Sequence, residues 1–128
     1  ILGIACAKLD AERVLCVDID KKAVEIAHEN VLINQVEDRV EILDRDVATL
    51  TEPFHMIVAN LTAKILIRLR RHLFRLLGDG GYLVISGIVK QNKPDIEAHF
   101  LSDEFSLHRL ITEKEWSCYV LKNEGRRL

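Results

Sequence analysis

The sequence predicts an α/β fold: a doubly wound, mostly parallel sheet that ends in an antiparallel hairpin. Two observations carry this reading. Short apolar runs alternate with amphipathic stretches over most of the chain, the order that builds parallel strands joined by crossover helices. The last two runs, Ser106 to Thr112 and Trp116 to Lys122, are joined only by a short connection around Lys114 and Glu115, so they must pair antiparallel. A third observation concerns function. The run VLCVDID, Val14 to Asp20, reads as a short buried strand that stops on an acid, Asp18, just before a helix. An acid at the carboxyl end of the second strand of a nucleotide-binding sheet is placed to accept hydrogen bonds from two ribose hydroxyls. Nucleoside-cofactor binding is therefore the leading idea.

The elements follow in order. Ile1 to Leu9 has Ile1, Ile4, Ala5 and Lys8 at helical spacing. After the Val14 to Asp18 strand, Asp20 is placed to cap a helix from Lys21 to Asn34, in which Val24, Ala27 and Val31 form an apolar stripe. Val40 to Leu43 is a short strand, followed by Asp44-Arg45-Asp46 and a polar loop containing Pro53. Met56 to Ala59 is a strand that ends at Asn60, and a long helix covers about Ala63 to Leu77. Gly78-Asp79-Gly80-Gly81 is expected to stop that helix through the glycine preference at helix ends. These glycines precede a strand, Tyr82 to Ile88, whereas phosphate-cradling loops precede a helix, so they read as punctuation. Pro94 suits the first turn of a helix over Lys93 to Ser102, and Arg126-Arg127-Leu128 is a tail.

Composition limits the alternatives. At 128 residues the chain is one domain or part of one, and 48% apolar with 30% charged residues suits a globular protein with a core. A net charge of −2 gives no general attraction to nucleic acid or membrane, and no apolar run approaches the ~20 residues of a span. The opening ILGIACAK has no Met, which reads as a fragment whose upstream part is absent. Cys6, Cys16 and Cys118 lie in apolar stretches without a CxxC, as expected of reduced, buried thiols in a cytoplasmic protein. The histidines show no metal-ligand spacing, so no metal is expected.

The run VLCVDIDKKAVEIAHENVLINQVEDRVEI looks like the second strand, second helix and third strand of the class I S-adenosylmethionine-dependent methyltransferases, a Rossmann-like fold. VANLTAKIL (Val58 to Leu66), GDGGYLVISGI (Gly78 to Ile88) and the late Glu115-Trp116 are more specific. Together they resemble the catalytic domain of the ribosomal protein L eleven methyltransferase family over nearly the whole chain. The resemblance implies S-adenosyl-L-methionine as cofactor and methyl transfer to lysine or N-terminal amino groups of a large-subunit ribosomal protein, with neither direct nucleic-acid contact nor membrane attachment. Transfer to RNA or a small molecule is the alternative, and a non-catalytic Rossmann-like fragment is another. A nicotinamide oxidoreductase is disfavoured by the terminal hairpin and the NLTA stretch. All 128 residues would form one methyltransferase domain, incomplete at its N-terminus. The family's first strand, its DxGxGSG loop and its small substrate-binding domain are expected upstream of Ile1. The first strand would lie between those at Val14 and Met56, and without it two strand edges gape, so the isolated stretch is expected to be unstable or partly open. Asp10 stands where a turn glycine is common, a mild change because Asp tolerates left-handed backbone.

On this resemblance Asp18 would take the ribose hydroxyls and Ile19 would lie against the adenine. Asp46 and the Val47 backbone would meet the adenine amino group. Asn60 would close the fourth strand beside the cofactor, where its amide could accept a hydrogen bond from the incoming amine and aim it at the methyl group. Leu61, Thr62 and Ala63 would line the mouth. Each has a plainer reading: Asp18 as a helix cap or solvated acid, Asp44 and Asp46 as turn residues, Asn60 as a cap of the next helix. Gly3 reads as a packing residue. Lys64, Arg68, Arg71, His72 and Arg75 form a basic stripe, opposite Ile65, Leu66, Leu69, Leu73 and Leu76. That stripe is either a solvated face or a steering surface toward ribosomal material.

Overall fold

The structure, a computed structural model, describes residues 2–18, 20–51, 53–102 and 104–125. Ile19 and the tail at 126–128 therefore lie outside the described residues. The chain divides into two compact units, Ile1–Leu50 and Thr51–Leu128.

The first unit contains α1 (Leu2–Lys8), β1 (Val14–Asp18), α2 (Lys21–Ile33) and β2 (Val40–Asp44). β1 and β2 are parallel and in register from Val14 opposite Val40 to Asp18 opposite Asp44. Asp20 caps α2 as its sequence position implies, its carboxylate accepting from the Lys22 N–H at 3.0 Å. Ala7, Val31, Val36 and Val40 form a small core, with Ile4, Val14, Cys16 and Ile42 against it. A Cβ on Gly3 would collide with the Cys16 sulfur, so the glycine lets α1 lie close on β1, as a packing residue does. Asp10 takes the left-handed turn after α1 (φ 73°), and Gln35 takes the one after α2 (φ 58°).

The second unit contains β3 (Phe54–Asn60), α3 (Ala63–Leu76), β4 (Leu77–Val89), α4 (Lys93–Phe100), β5 (Phe105–Glu113) and β6 (Trp116–Asn123). Its sheet order is β3-β4-β6-β5. β3 and β4 are parallel, while β6 runs antiparallel to both β4 and β5. The hairpin thus inserts its second strand beside β4 and leaves β5 at the edge. β4 and β6 each bury alternate residues: Leu83 and Ile85 on one, Tyr119 and Leu121 on the other. These meet Leu66 and Leu73 of α3, Ile96 and Phe100 of α4, and Phe105 in one core.

Two local expectations need correction. α3 does not end on a glycine cap. Leu77 turns directly into extended backbone (φ −89°, ψ 122°) and begins β4, which is longer than the Tyr82 to Ile88 run suggested. Within the glycine cluster at 78–81 the left-handed residue is Gly80, inside the loop-like start of that strand. The reason is tertiary: the buried Asn123 amide donates to the Leu77 and Gly78 carbonyls at 2.9 and 3.3 Å, so β6 captures chain that would otherwise form a helix cap. A short 3-10 turn, Val47–Thr49, also interrupts the polar loop after β2. Among the described residues β1 pairs only with β2, and β3 only with β4.

Candidate functional site

In the first unit, the carboxyl ends of the two parallel strands place three acids together in sequence and register. Asp18 ends β1, Asp44 opposite it ends β2, and Asp46 lies two residues further on. The Asp18 Oδ1 accepts from the Asp20 N–H at 2.9 Å, an Asx turn that holds the carboxylate at the strand exit. Because Asp20 caps α2, the capping reading of Asp18 does not apply. Asp46 has a structural partner too: its Oδ1 accepts from the Ala48 N–H at 3.0 Å and caps the 3-10 turn. Val47, the first residue of that turn, is half-buried.

In the second unit, the equivalent end of the sheet is a cleft of about 670 Å³. Asn60, the last residue of β3, and its register partner Ser86 on β4 supply polar groups, and Gly87 supplies bare backbone. Leu61, Ile65 and Trp116 are the apolar part of the lining. Trp116 is 50% exposed, unusual for a tryptophan with a core nearby. Thr62 also lines the cleft and caps α3, its Oγ1 accepting from the Ile65 N–H at 3.4 Å. Thr62 thus takes the capping role that the plain reading gave Asn60. Ala63 does not line the cleft: it is 7% exposed and packs into the core, because α3 begins there and turns it inward.

Ligands at the carboxyl ends of parallel strands are the rule in open α/β sheets, and both candidate clusters obey it. The profile of the family described as "Ribosomal protein L11 methyltransferase (PrmA)" matches residues 1–124. This chain belongs to that family. Ribosomal protein L11 methyltransferases from Heliobacterium modesticaldum and Pelobacter propionicus are 39% and 36% identical to it over 126 residues, covering 98% of this chain in each case. The chain spans 40% and 41% of those proteins' own lengths. The crystal structure of ribosomal protein L11 methylase from Lactobacillus delbrueckii subsp. bulgaricus superposes with a TM-score of 0.90 at 29% identity, over 97% of this chain and 64% of that one. An RNA methyltransferase from Salinibacter ruber, in complex with S-adenosyl-L-homocysteine, shares the fold alone, with a TM-score of 0.77 at 18% identity, over 99% of this chain and 76% of that one. The fold is therefore the Rossmann-like one of class I methyltransferases.

For a member of the L11 methyltransferase family, the cleft adds three residues that carried the resemblance but were given no site role from sequence: Ser86, Gly87 and Trp116. The signals were present in the VISGI run of β4 and in a tryptophan next to a hairpin turn at the start of β6, but that they share one cleft depended on a bulge in the β4–β6 pairing that periodicity does not reveal. Neither Cys16 nor Cys118 offers an activated thiol among these groups. All three cysteines are free and half-buried, and burial pushes the Cys16 and Cys118 thiols up, away from the thiolate. Among the described residues no cluster of His, Cys, Asp and Glu could hold a metal ion, and no helix is long and apolar enough to cross a membrane.

Proposed function

We propose that the chain forms one S-adenosyl-L-methionine-dependent methyltransferase domain that transfers methyl groups to lysine or N-terminal amines of a large-subunit ribosomal protein in the cytoplasm. The observation that carries this reading is the placement of Asp18 and Asn60, each the final residue of a parallel strand, in a chain of the L11 methyltransferase family. The donor sets fit the cofactor. Asp18 offers an oriented carboxylate, a pure acceptor, to a ribose diol. The Asp46 carboxylate can accept from the adenine amino group, with the Val47 backbone beside it.

The bound cofactor would supply an already activated methyl group on a sulfonium. The protein then has to hold the acceptor in line and exclude water. An acceptor lysine must be neutral to attack, and at pH 7 deprotonation costs roughly 4–5 kcal/mol from its reference pKa. The apolar lining of Leu61, Ile65 and Trp116 disfavours the ammonium, and a sulfonium's positive charge would act in the same direction. Asn60 accepts a hydrogen bond from the amine and aims its lone pair. Among the described residues no side chain of the cleft is a general base, so the proton would leave to solvent after transfer.

Calorimetric titration of S-adenosyl-L-methionine into the chain tests the cofactor site. Binding is expected, with Asp18→Ala removing it; equal affinity in the variant would overturn the assignment of Asp18. Labelled-methyl transfer to ribosomal protein, with ribosomal RNA as the competing acceptor, tests the substrate. Label in RNA alone would replace the protein acceptor.

A further inference from the structure

We propose that Gly87 is a positioning residue for the methyl-acceptor site: its missing side chain creates the space in which the Asn60 carboxamide is held. The inference rests on the reading of Asn60 given above. β4 buries Leu83 and Ile85 in strict alternation, and the next buried residue is Ile88, one position late. The pairing with β6 shows why. Ile85 lies opposite Tyr119 and Ile88 opposite Ser117, so three steps on β4 match two on β6, a bulge at Ser86 and Gly87. The bulge returns Ile88 to the core and leaves both bulged residues on the cleft. Bulges beside sites commonly re-aim side chains in this way.

Gly87 has φ +75°, a backbone conformation that glycine adopts without strain. A second, independent constraint is spatial. A Cβ at this position would land on the Asn60 Oδ1 and within 3.5 Å of its Cγ. The carboxamide that aims the amine therefore rests against the bare Cα of the bulge. These two constraints separate by experiment, because asparagine tolerates the left-handed backbone yet still carries a Cβ. A merely structural bulge accepts Gly87→Asn; a positioning glycine does not.

The test compares Asn60→Ala, Gly87→Asn and the double variant in the full chain. Methyl-transfer kinetics are read with S-adenosyl-L-methionine and ribosomal protein, and the Asn60 side-chain amide is followed by ¹⁵N NMR. Gly87→Asn is expected to shift the Asn60 amide resonances and to lower kcat about ten- to a hundredfold, the scale of a misplaced group in the site. The double variant should be no slower than Asn60→Ala, and the cofactor KM should be the same in both. Unshifted Asn60 resonances, or losses that multiply in the double variant, would overturn the proposal. If Gly87→Asn does not fold, adding Asn60→Gly should restore a cooperative melt; failure to restore it overturns the proposal as well. A wild-type chain without transfer activity would refute the proposed function, while the Asn60 resonances would still decide whether Gly87 positions that side chain.

Discussion

Asp18 and Asp20 stand two residues apart and divide two tasks, as their sequence positions imply for the cap. The Asp20 carboxylate satisfies one open N–H of α2, that of Lys22, and this leaves Asp18 as an oriented acceptor at the strand exit. Asp46 is held in the same way, one oxygen accepting from the Ala48 N–H, but its turn is the 3-10 turn Val47–Thr49. Asp46→Ala and Asp18→Ala each delete a carboxylate that holds a backbone N–H as well as a proposed cofactor contact, so each is expected to lower the melting temperature slightly and to weaken cofactor binding; an unchanged melting temperature in both variants would show that these turns hold without the carboxylates. A buried phenol gives a second prediction at this scale. Tyr119 is fully buried and donates to Glu97 at 3.1 Å. Burial first, then the Glu97 hydrogen bond and charge, push its pKa up to about 12. The unfolded phenol ionises near pH 10. The stabilisation is therefore complete below pH 10 and is lost as pH rises toward 12. Tyr119→Phe should cost about 2 kcal/mol at pH 8, as a hydrogen bond to a charged partner. The gap from wild type should narrow above pH 10. Parallel denaturant-stability curves from pH 8 to 11.5 would show that Tyr119 does not titrate with folding.

The helix-to-strand passage from α3 to β4 depends on a residue far along the chain. Asn123 donates to the Leu77 and Gly78 carbonyls and accepts from the Gly125 N–H at 2.8 Å, closing β6 onto the root of β4. Asn123→Ala would leave buried backbone groups unpaired, with an expected cost of about 3 kcal/mol in urea unfolding. A change within about 0.5 kcal/mol, as at an ordinary surface site, would mean that water replaces the amide. Arg70 makes a similar tie within the second unit: its guanidinium donates to the His99 carbonyl and the Ser102 hydroxyl, pairs with Glu104 at 3.5 Å and lies over the Phe105 ring. This sets Arg70 apart from Lys64, Arg68 and Arg71, which face solvent on α3. The amphipathic stripe of α3 was legible because Leu66, Leu73 and Leu76 recur at helical spacing. The helix end was not, since its stop comes from a hydrogen bond spanning more than forty residues.

Across the whole chain, the two units differ in how much they bury. The first has a two-stranded sheet over a core of Ala7, Val31, Val36 and Val40, and two strands alone are marginal in water. The second has four strands and a core built on Leu66, Leu83, Ile85, Phe100, Phe105 and Tyr119. Hydrogen exchange should therefore find the amides of Val14 to Val17 opening at lower free energy than those of Leu83 to Ile85 and Tyr119 to Leu121. Equal protection in both sets would show that the units open together. The alternating order of strands and helices, the closing hairpin, the capping of α2 and the acid that ends β1 were all readable from local pattern, because each depends on residues within one or two turns of chain. The same holds for the family, whose runs at Val58 to Leu66 and Gly78 to Ile88 are contiguous in sequence. Only the tertiary structure decided that β6 rather than β5 pairs with β4, that α3 passes into β4 without a glycine cap, that Ala63 turns inward, and that a bulge at Gly87 places Ser86, Trp116 and Asn60 on one cleft. These follow from hydrogen bonds and steric limits between residues distant in the chain, and a period-two or period-3.6 pattern carries no record of them.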